Sequence, residues 1–383
     1  MTGRLVILTE IISPYRIPLF NALAAKPGIS LHVVFLSETD PSLRDWRIYK
    51  EEIRFSYDVL PSWRRRAGKF NVLLNRGLAR ALVGASPSVI LCGGYNYVAS
   101  WQALLWARAH SVPFLLWSES NVQDSRRGHA LVEMLKDEFI GQCDGFVVPG
   151  QSAFEYLRSH KVNPDSIFIA PNAVDNEFFC KSAEHVRLDA AGHRKELNLP
   201  GRYFLFVGRL VREKGVFEFV SAYAQLNERL RRDFGLVFVG DGPCRAQLQE
   251  DASAVSPGAI HFAGFTHREQ LPIYYALAEM LALPTYTDTW GLVVNEAMAC
   301  GLPIILSEAA GCAADLVTAD WNGCLISPRD VSSLASAMTI LATRPDLRRV
   351  MSEHSVERIA QYSPSAWAAG IARAVQPLAG KHD

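Results

Sequence analysis

Short runs of β-branched and aromatic residues recur along this chain with helix-length stretches between them, and that alternation restricts the fold most. One series comprises Leu5–Leu8, Leu31–Leu36, Ser88–Cys92, Phe114–Trp117, Gly145–Val148 and Ile167–Ala170. A second comprises Tyr203–Val207, Leu236–Val239, Ile260–Phe262, Met280–Ala282, Pro303–Leu306 and Gly323–Ile326. Strands separated by helices pair in parallel, and the crossover helices cover both faces of the sheet. The expected fold class is therefore α/β, with two Rossmann-like parallel sheets of about six strands each.

The alternation breaks after Phe179, where residues 180–201 read CKSAEHVRLDAAGHRKELNLPG. A polar stretch ending in Pro-Gly reads as a linker or an exposed helix between domains. At 383 residues the chain also exceeds what one core usually holds. The predicted organisation is an N-terminal domain over 1–180, a linker over 181–200 and a C-terminal domain over 201–362. An amphipathic C-terminal helix follows in 363–383, with Trp367 at its start, and is expected to cross back to the first domain.

Charge and cysteine content narrow the class. Lys+Arg and Asp+Glu both total 39, which argues against a nucleic-acid-coating protein. Seven scattered cysteines without a Cys-x-x-Cys pair fit reduced thiols in a cytosol better than a disulfide frame or a zinc site. The opening MTGRLVILTE reaches an acid after one short apolar run, so no secretory leader is expected. No charge lies between Arg80 and Arg108, but Pro87, Gly93, Gly94 and Asn96 interrupt that stretch. It reads as strand, glycine loop and helix rather than a membrane span. The expected location is cytoplasmic, with peripheral contact at the inner face of the membrane.

The densest chemistry lies in the second half. Phe206-Val-Gly208-Arg209-Leu-Val-Arg212-Glu-Lys214-Gly215 is a strand running into a loop and then a helix. Ligands of parallel sheets bind at such strand ends. Arg209 and Lys214 there suit a diphosphate, one as a planar fork and one as a point charge; alternatively they are solvated surface cations. Next, Leu283-Pro284-Thr-Tyr-Thr-Asp288-Thr-Trp290-Gly291-Leu292 leads into a helix that carries Glu296 and stops at Gly301. The N–H groups of Gly291 and Leu292 would form an anion site at that helix start. Glu296, about 6 Å further along the axis, can accept hydrogen bonds from two neighbouring hydroxyls such as a ribose diol. Asp288 precedes the helix, on the side where a transferred sugar would lie.

These stretches, together with Val239–Pro243 (VGDGP), Phe262–Phe265 (FAGF) and Asn322–Asp330 (NGCLISPRD), resemble the retaining glycosyltransferases of family 4 in order and spacing. The resemblance spans about Tyr203 to Asp330. It implies the GT-B fold, two Rossmann-like parallel-sheet domains facing each other across a cleft. It also implies sugar transfer from a UDP-, GDP- or ADP-sugar to a hydroxyl acceptor with retention and without a metal or other cofactor. Arg209, Lys214, Gly291 and Leu292 would bind the donor diphosphate, and Glu296 the ribose. Asp288 and the main chain at Trp290 would bind the donor sugar, and Gly264, Phe265 and Thr266 the base.

Two positions depart from the family pattern. Asp288 stands where glutamate is usual, which puts donor-sugar preference in question. Glu119, in Ser118-Glu119-Ser120, stands where a histidine near the sugar is common. A carboxylate there can orient an acceptor hydroxyl or stabilise positive charge at the sugar's C1, or simply hold its own loop. Glu119, Asp288 and Glu296 are thus the candidate catalytic acids. In the first domain Ser13, Tyr15, Arg16 and Asn172 are candidates for the acceptor or the cleft.

Residues Arg44–Arg80 hold ten Lys/Arg against four Asp/Glu, among them Trp63-Arg64-Arg65-Arg66 and Lys69-Phe70. Basic residues beside aromatics give the expectation of peripheral membrane contact through 63–70, where a lipid-linked glycan acceptor would reside. Two other functions stay open at this level. A nucleotide-sugar epimerase of the same fold would act with no acceptor, and a non-catalytic partner would bind the nucleotide sugar without turning it over.

Overall fold

A computed structural model describes residues 3–40, 47–67, 70–121, 130–256 and 258–379. The chain divides into two compact units, Met1–Val174 with Pro364–Asp383, and Asp175–Ser363. In the first, the strands are β1 (Arg4–Thr9), β2 (Ser30–Phe35), β3 (Ser56–Val59), β4 (Ser62–Ala67) and β5 (Phe70–Asn75). They continue as β6 (Val89–Cys92), β7 (Phe114–Trp117), β8 (Gly145–Val148) and β9 (Ile167–Ile169). Seven of them form a parallel sheet in the order β3-β2-β1-β6-β7-β8-β9, and β4 pairs with β5 as an antiparallel hairpin.

The second unit contains β10 (Tyr203–Val207), β11 (Gly235–Val239), β12 (Ile260–Gly264), β13 (Met280–Leu283), β14 (Ile304–Ser307) and β15 (Gly323–Ile326). They are parallel in the order β12-β11-β10-β13-β14-β15. Strands such as VILC, FLLW, MLAL and IILS are buried at every position. Continuous apolar runs, rather than alternating ones, are what a sheet covered on both faces requires. In each sheet the order reverses beside the first strand, between β1 and β6 and between β10 and β13. The chain there leaves the sheet towards opposite faces and opens a crevice at the C-terminal strand ends.

The twelve strand runs read from the sequence all form, whereas β3, β4 and β5 were not anticipated. In β4–β5 the cross-strand pairs are Trp63 with Leu74, Arg64 with Leu73 and Arg65 with Val72. Leu73 faces the core and Arg64 lies with it, bonded to Asp40 Oδ2 at 2.5 Å and Glu10 Oε1 at 3.1 Å. Three consecutive arginines hide this period of two. Arg64 is thus a tie beneath the hairpin rather than part of a surface patch, and Gly68 and Lys69 of the expected 63–70 contact lie outside the described residues.

Of the two readings of residues 181–200, linker or helix, the structure has the helix. Helices Asn176–Leu188 and Ala190–Glu196 occupy most of them, and the boundary between units falls earlier, at Val174 and Asp175. Asp175 caps the first helix by accepting from Phe178 N at 3.0 Å. Arg187 then donates to the carbonyls of Cys300 (2.6 Å) and Ala276 (3.3 Å), and Arg194 to Leu277 O (3.3 Å). The polar composition that reads as a linker is the side-chain chemistry that ties these helices to the second unit.

The run between Arg80 and Arg108 resolves into β6 and the helix Val98–Ala109. Among the described residues no helix is long and apolar enough to cross a membrane. The helix Pro364–Ala379 belongs to the first unit, where Trp367 is fully buried with ring centroids 5.7 Å from Phe20 and 5.4 Å from Trp117. Truncating a buried tryptophan removes its transfer free energy and leaves a cavity, about 3–5 kcal/mol together. Trp367→Ala is therefore expected to lower the melting temperature of the first unit by several degrees. Unchanged thermal and urea unfolding would show that this helix contributes little to the unit.

Candidate functional site

The β10–β13 crevice gathers the residues singled out in the second unit. The segment after β10 runs through a single-turn helix, Arg212–Lys214, and Gly215 at φ 70° before the helix Val216–Gln225. A Cβ on Gly215 would lie 2.0 Å from Pro284 O, so only glycine lets this turn close against the segment after β13. The two segments are joined by Tyr286 N donating to Glu213 O (2.8 Å) and by Thr285 Oγ1 donating to the same carbonyl (3.0 Å).

Across this junction the Lys214 ammonium is ion-paired with the Asp288 carboxylate, and both are largely buried. Asp288 is further fixed by its main chain, whose carbonyl accepts from Gly311 N at 2.9 Å. The Arg209 side chain is exposed, with no hydrogen bond or ion pair among the described residues. Of the two cations, Lys214 is thus pre-positioned and Arg209 remains available to a ligand.

Gly291 caps the helix Leu292–Ala299 at φ 101°, a left-handed conformation that favours glycine. No side chain caps this helix, so its first N–H groups face outward and favour an anion. Trp290 is buried, and its indole Nε1 donates to Asn295 Oδ1 at 2.8 Å. Its ring locks the turn onto the helix, which leaves its main chain rather than its side chain for any sugar.

Glu296 lies one turn into the helix and accepts a 2.6 Å hydrogen bond from the Tyr275 hydroxyl. Burial pushes the Glu296 carboxyl up to about 7, against that hydrogen bond, which favours the ionised form. No cation pairs with it among the described residues. A desolvated carboxylate without a counter-ion is expensive to keep and is typical of a binding site awaiting hydroxyl donors. Tyr275 was missed in the sequence because it reads as an ordinary core tyrosine of a short helix, Leu271–Leu277.

At the end of β12, Gly264 adopts φ 80°, and its carbonyl accepts from Gly240 N at 2.7 Å and Thr266 Oγ1 at 3.4 Å. Phe265 beside it is exposed, its ring 5.1 Å from His267. The three strand-end segments after β10, β11 and β12 are tied together, since Gly208 N donates to Val239 O and Leu210 N to Asp241 O, both at 2.9 Å.

In the first unit the candidates gather at the ends of β1 and β7. Arg16 Nη2 bonds Glu119 Oε1 at 3.1 Å, Nη1 donates to Thr9 Oγ1 at 3.2 Å, and the guanidinium lies 4.2 Å from the Trp117 ring centroid. Burial disfavours the Arg16 charge, but Glu119, Tyr15 and Glu10 outweigh it and raise its pKa. Glu119 is therefore an anchored acid with its charge balanced, not a lone carboxylate. Ser13 is buried, with its carbonyl accepting from Arg16 N at 2.9 Å, and Tyr15 is half-buried beside it. Asn172 is buried in the segment after β9, apart from the Arg16–Glu119 pair in sequence.

Comparison with known proteins agrees with this architecture. The family described as glycosyl transferases group 1 matches residues 191–358, and that described as glycosyltransferase family 4 matches 19–178. The alpha-D-kanosaminyltransferase of Streptomyces kanamyceticus is 27% identical over 77% of this chain and 78% of its own length. A D-inositol 3-phosphate glycosyltransferase of Corynebacterium jeikeium is 25% identical over 73% and 68%. Among solved structures, sucrose-phosphate synthase from Thermosynechococcus elongatus superposes with a TM-score of 0.72, at 22% identity over 98% of this chain and 99% of that one. Anabaena HepE, solved in complex with UDP-glucose, gives 0.75 at 16% identity over 98% and 100%.

The raised Glu296 carboxyl has a thermodynamic signature. A carboxyl whose folded pKa lies above its unfolded value contributes stability below the unfolded pKa and loses it as pH rises through the folded one. Between pH 5 and pH 8 the wild type should thus lose stability relative to Glu296→Gln, by roughly 2 kcal/mol, or about 5 °C in melting temperature. Parallel melting curves across that range would remove the buried, uncompensated charge from the site. With two parallel-sheet units matched by both halves of one enzyme group, the chain belongs to the group 1, family 4-like glycosyltransferases and has their GT-B fold.

Proposed function

We propose that the protein transfers a sugar from a nucleoside-diphosphate sugar to a hydroxyl acceptor, a glycan or a lipid-linked glycan or lipid, with retention at the anomeric carbon. The observation that carries this reading is the convergence of Lys214, Asp288, Glu296 and an uncapped helix N-terminus on one β10–β13 crevice. The UDP-glucose bound in the HepE structure supports a nucleotide-sugar donor.

In this reading the ribose hydroxyls donate to Glu296, which then has a reason to be ionised despite its burial. Arg209, Lys214 and the N–H groups of Gly291 and Leu292 surround the diphosphate. The base rests against Gly264, Phe265 and Thr266. The sugar is held by Asp288 and the main chain at Trp290. Binding of the diphosphate shares Lys214 between Asp288 and phosphate, so the same cation orients the sugar-binding acid and the leaving group.

As the bond from C1 to the diphosphate oxygen breaks, its electron pair stays with the nucleoside diphosphate, and these cationic groups stabilise the growing charge. The acceptor oxygen forms its bond to C1 on the same face and passes its proton to a diphosphate oxygen. No protein nucleophile enters the step. The positive groups supply what a divalent cation supplies in other transferases, so this reading calls on no metal. Arg16 and Glu119, fixed to each other, position the acceptor. The alternation of transferase and synthase names among the relatives favours transfer over epimerisation.

The test is donor turnover by purified variants, followed as sugar released or transferred from labelled UDP-, GDP- and ADP-sugars. Arg209→Ala and Glu296→Ala are each expected to lower turnover about 100-fold, as losing a charged transition-state or ribose contact does. Their melting temperatures should stay near or above that of the wild type. Near-normal turnover in either variant contradicts the site, and conversion of donor to an epimer without acceptor contradicts the reaction.

A further inference from the structure

We infer that the outer face of the β4–β5 hairpin and the two helices beside it form a docking surface for anionic phospholipid. The sequence carries no Asp or Glu between Asp58 and Glu119, yet that interval holds Arg64, Arg65, Arg66, Lys69, Arg76, Arg80 and Arg108. In a chain whose charges balance at 39 against 39, this is a local exclusion of carboxylates. The elements it forms include β4, β5, the helix Leu78–Ala85 and the helix Val98–Ala109, which neighbour one another in the first unit.

The strand register sorts the hairpin into two faces. The inner face carries Leu73 and Arg64, and Arg64 takes up the nearby carboxylates Glu10 and Asp40. The outer face pairs Trp63 with Leu74 and Arg65 with Val72. Trp63 is 53% exposed and Leu74 43%, and on the adjoining helices Val83 and Leu105 are exposed by 60% and 66%. Arg65, Arg76 and Arg80 are exposed too, and none is in an ion pair among the described residues.

This pairing of cations with uncovered aliphatic and indole side chains matches the chemistry of a charged bilayer surface. Arginines attract anionic headgroups, while tryptophan and leucine enter the boundary between headgroups and acyl chains. A nucleic acid would satisfy the arginines but leave Leu74, Val83 and Leu105 in water. The inference stands independently of the reaction assigned above, since none of these residues belongs to either crevice.

The experiment is co-sedimentation of the full chain with vesicles of phosphatidylcholine alone and of phosphatidylcholine mixed with phosphatidylglycerol. Binding is expected only to the mixed vesicles and should weaken with added salt. Removing two arginine contacts, as in the double variant Arg65→Gln and Arg80→Gln, should weaken it about 30-fold. Fluorescence quenching by brominated lipid should be present in the wild type and largely lost in Trp63→Phe. All these positions are exposed, so unchanged melting temperatures certify the fold of each variant. Equal binding to both vesicle types, wild-type binding by the double variant, or retention on heparin without vesicle binding would overturn the inference.

Discussion

The central constraint on this molecule is that β10 is hydrogen-bonded on one side to β11 and on the other to β13. Parallel strands send their C-terminal ends to one edge, and the reversal of order at β10 sends the following segments to opposite faces. A crevice at that edge is a geometric consequence of the topology. The segments lining it are then fixed by backbone contacts rather than by side chains: Gly240 N to Gly264 O, Gly208 N to Val239 O, and Tyr286 N to Glu213 O. The chain can therefore hold Lys214, Asp288 and Glu296 in place at that edge.

Two ways of managing buried charge follow from that frame. Lys214 with Asp288, and Arg16 with Glu119, are pairs in which each ion offsets the desolvation of the other. Among the described residues Glu296 has only a tyrosine hydroxyl, and burial outweighs that single hydrogen bond. The difference in kind is informative. Paired ions hold loops in register, whereas an acid kept without a counter-ion costs stability in the free protein and recovers it when donors arrive.

Much of the fold was legible because both sheets are covered on each face, so their strands appear as unbroken apolar runs such as Phe114–Trp117 and Met280–Leu283. The hairpin was not, because Arg64, Arg65 and Arg66 look alike in sequence although Arg64 turns inward to Asp40. Residues 181–200 left linker and helix both open for a related reason: Arg187 and Arg194 look solvated, yet they satisfy carbonyls at the ends of other elements. On the candidate site, glycines and prolines framed the Pro284–Gly301 turn clearly. The partners Tyr275 for Glu296 and Arg16 for Glu119 were illegible, because 21 and 103 residues separate them and no local period links them.

In the function proposed above, the β10–β13 crevice takes a nucleoside diphosphate through Glu296 and the cations beside it. The most direct measurement is the melting temperature of the wild type and Glu296→Ala with saturating UDP, GDP or ADP. Ligand at about 100 times its dissociation constant stabilises the folded state by about 2.7 kcal/mol. The wild type is expected to rise by several degrees with one of these nucleotides, and the variant by much less. An equal rise in both proteins, or none with any nucleotide, would contradict it.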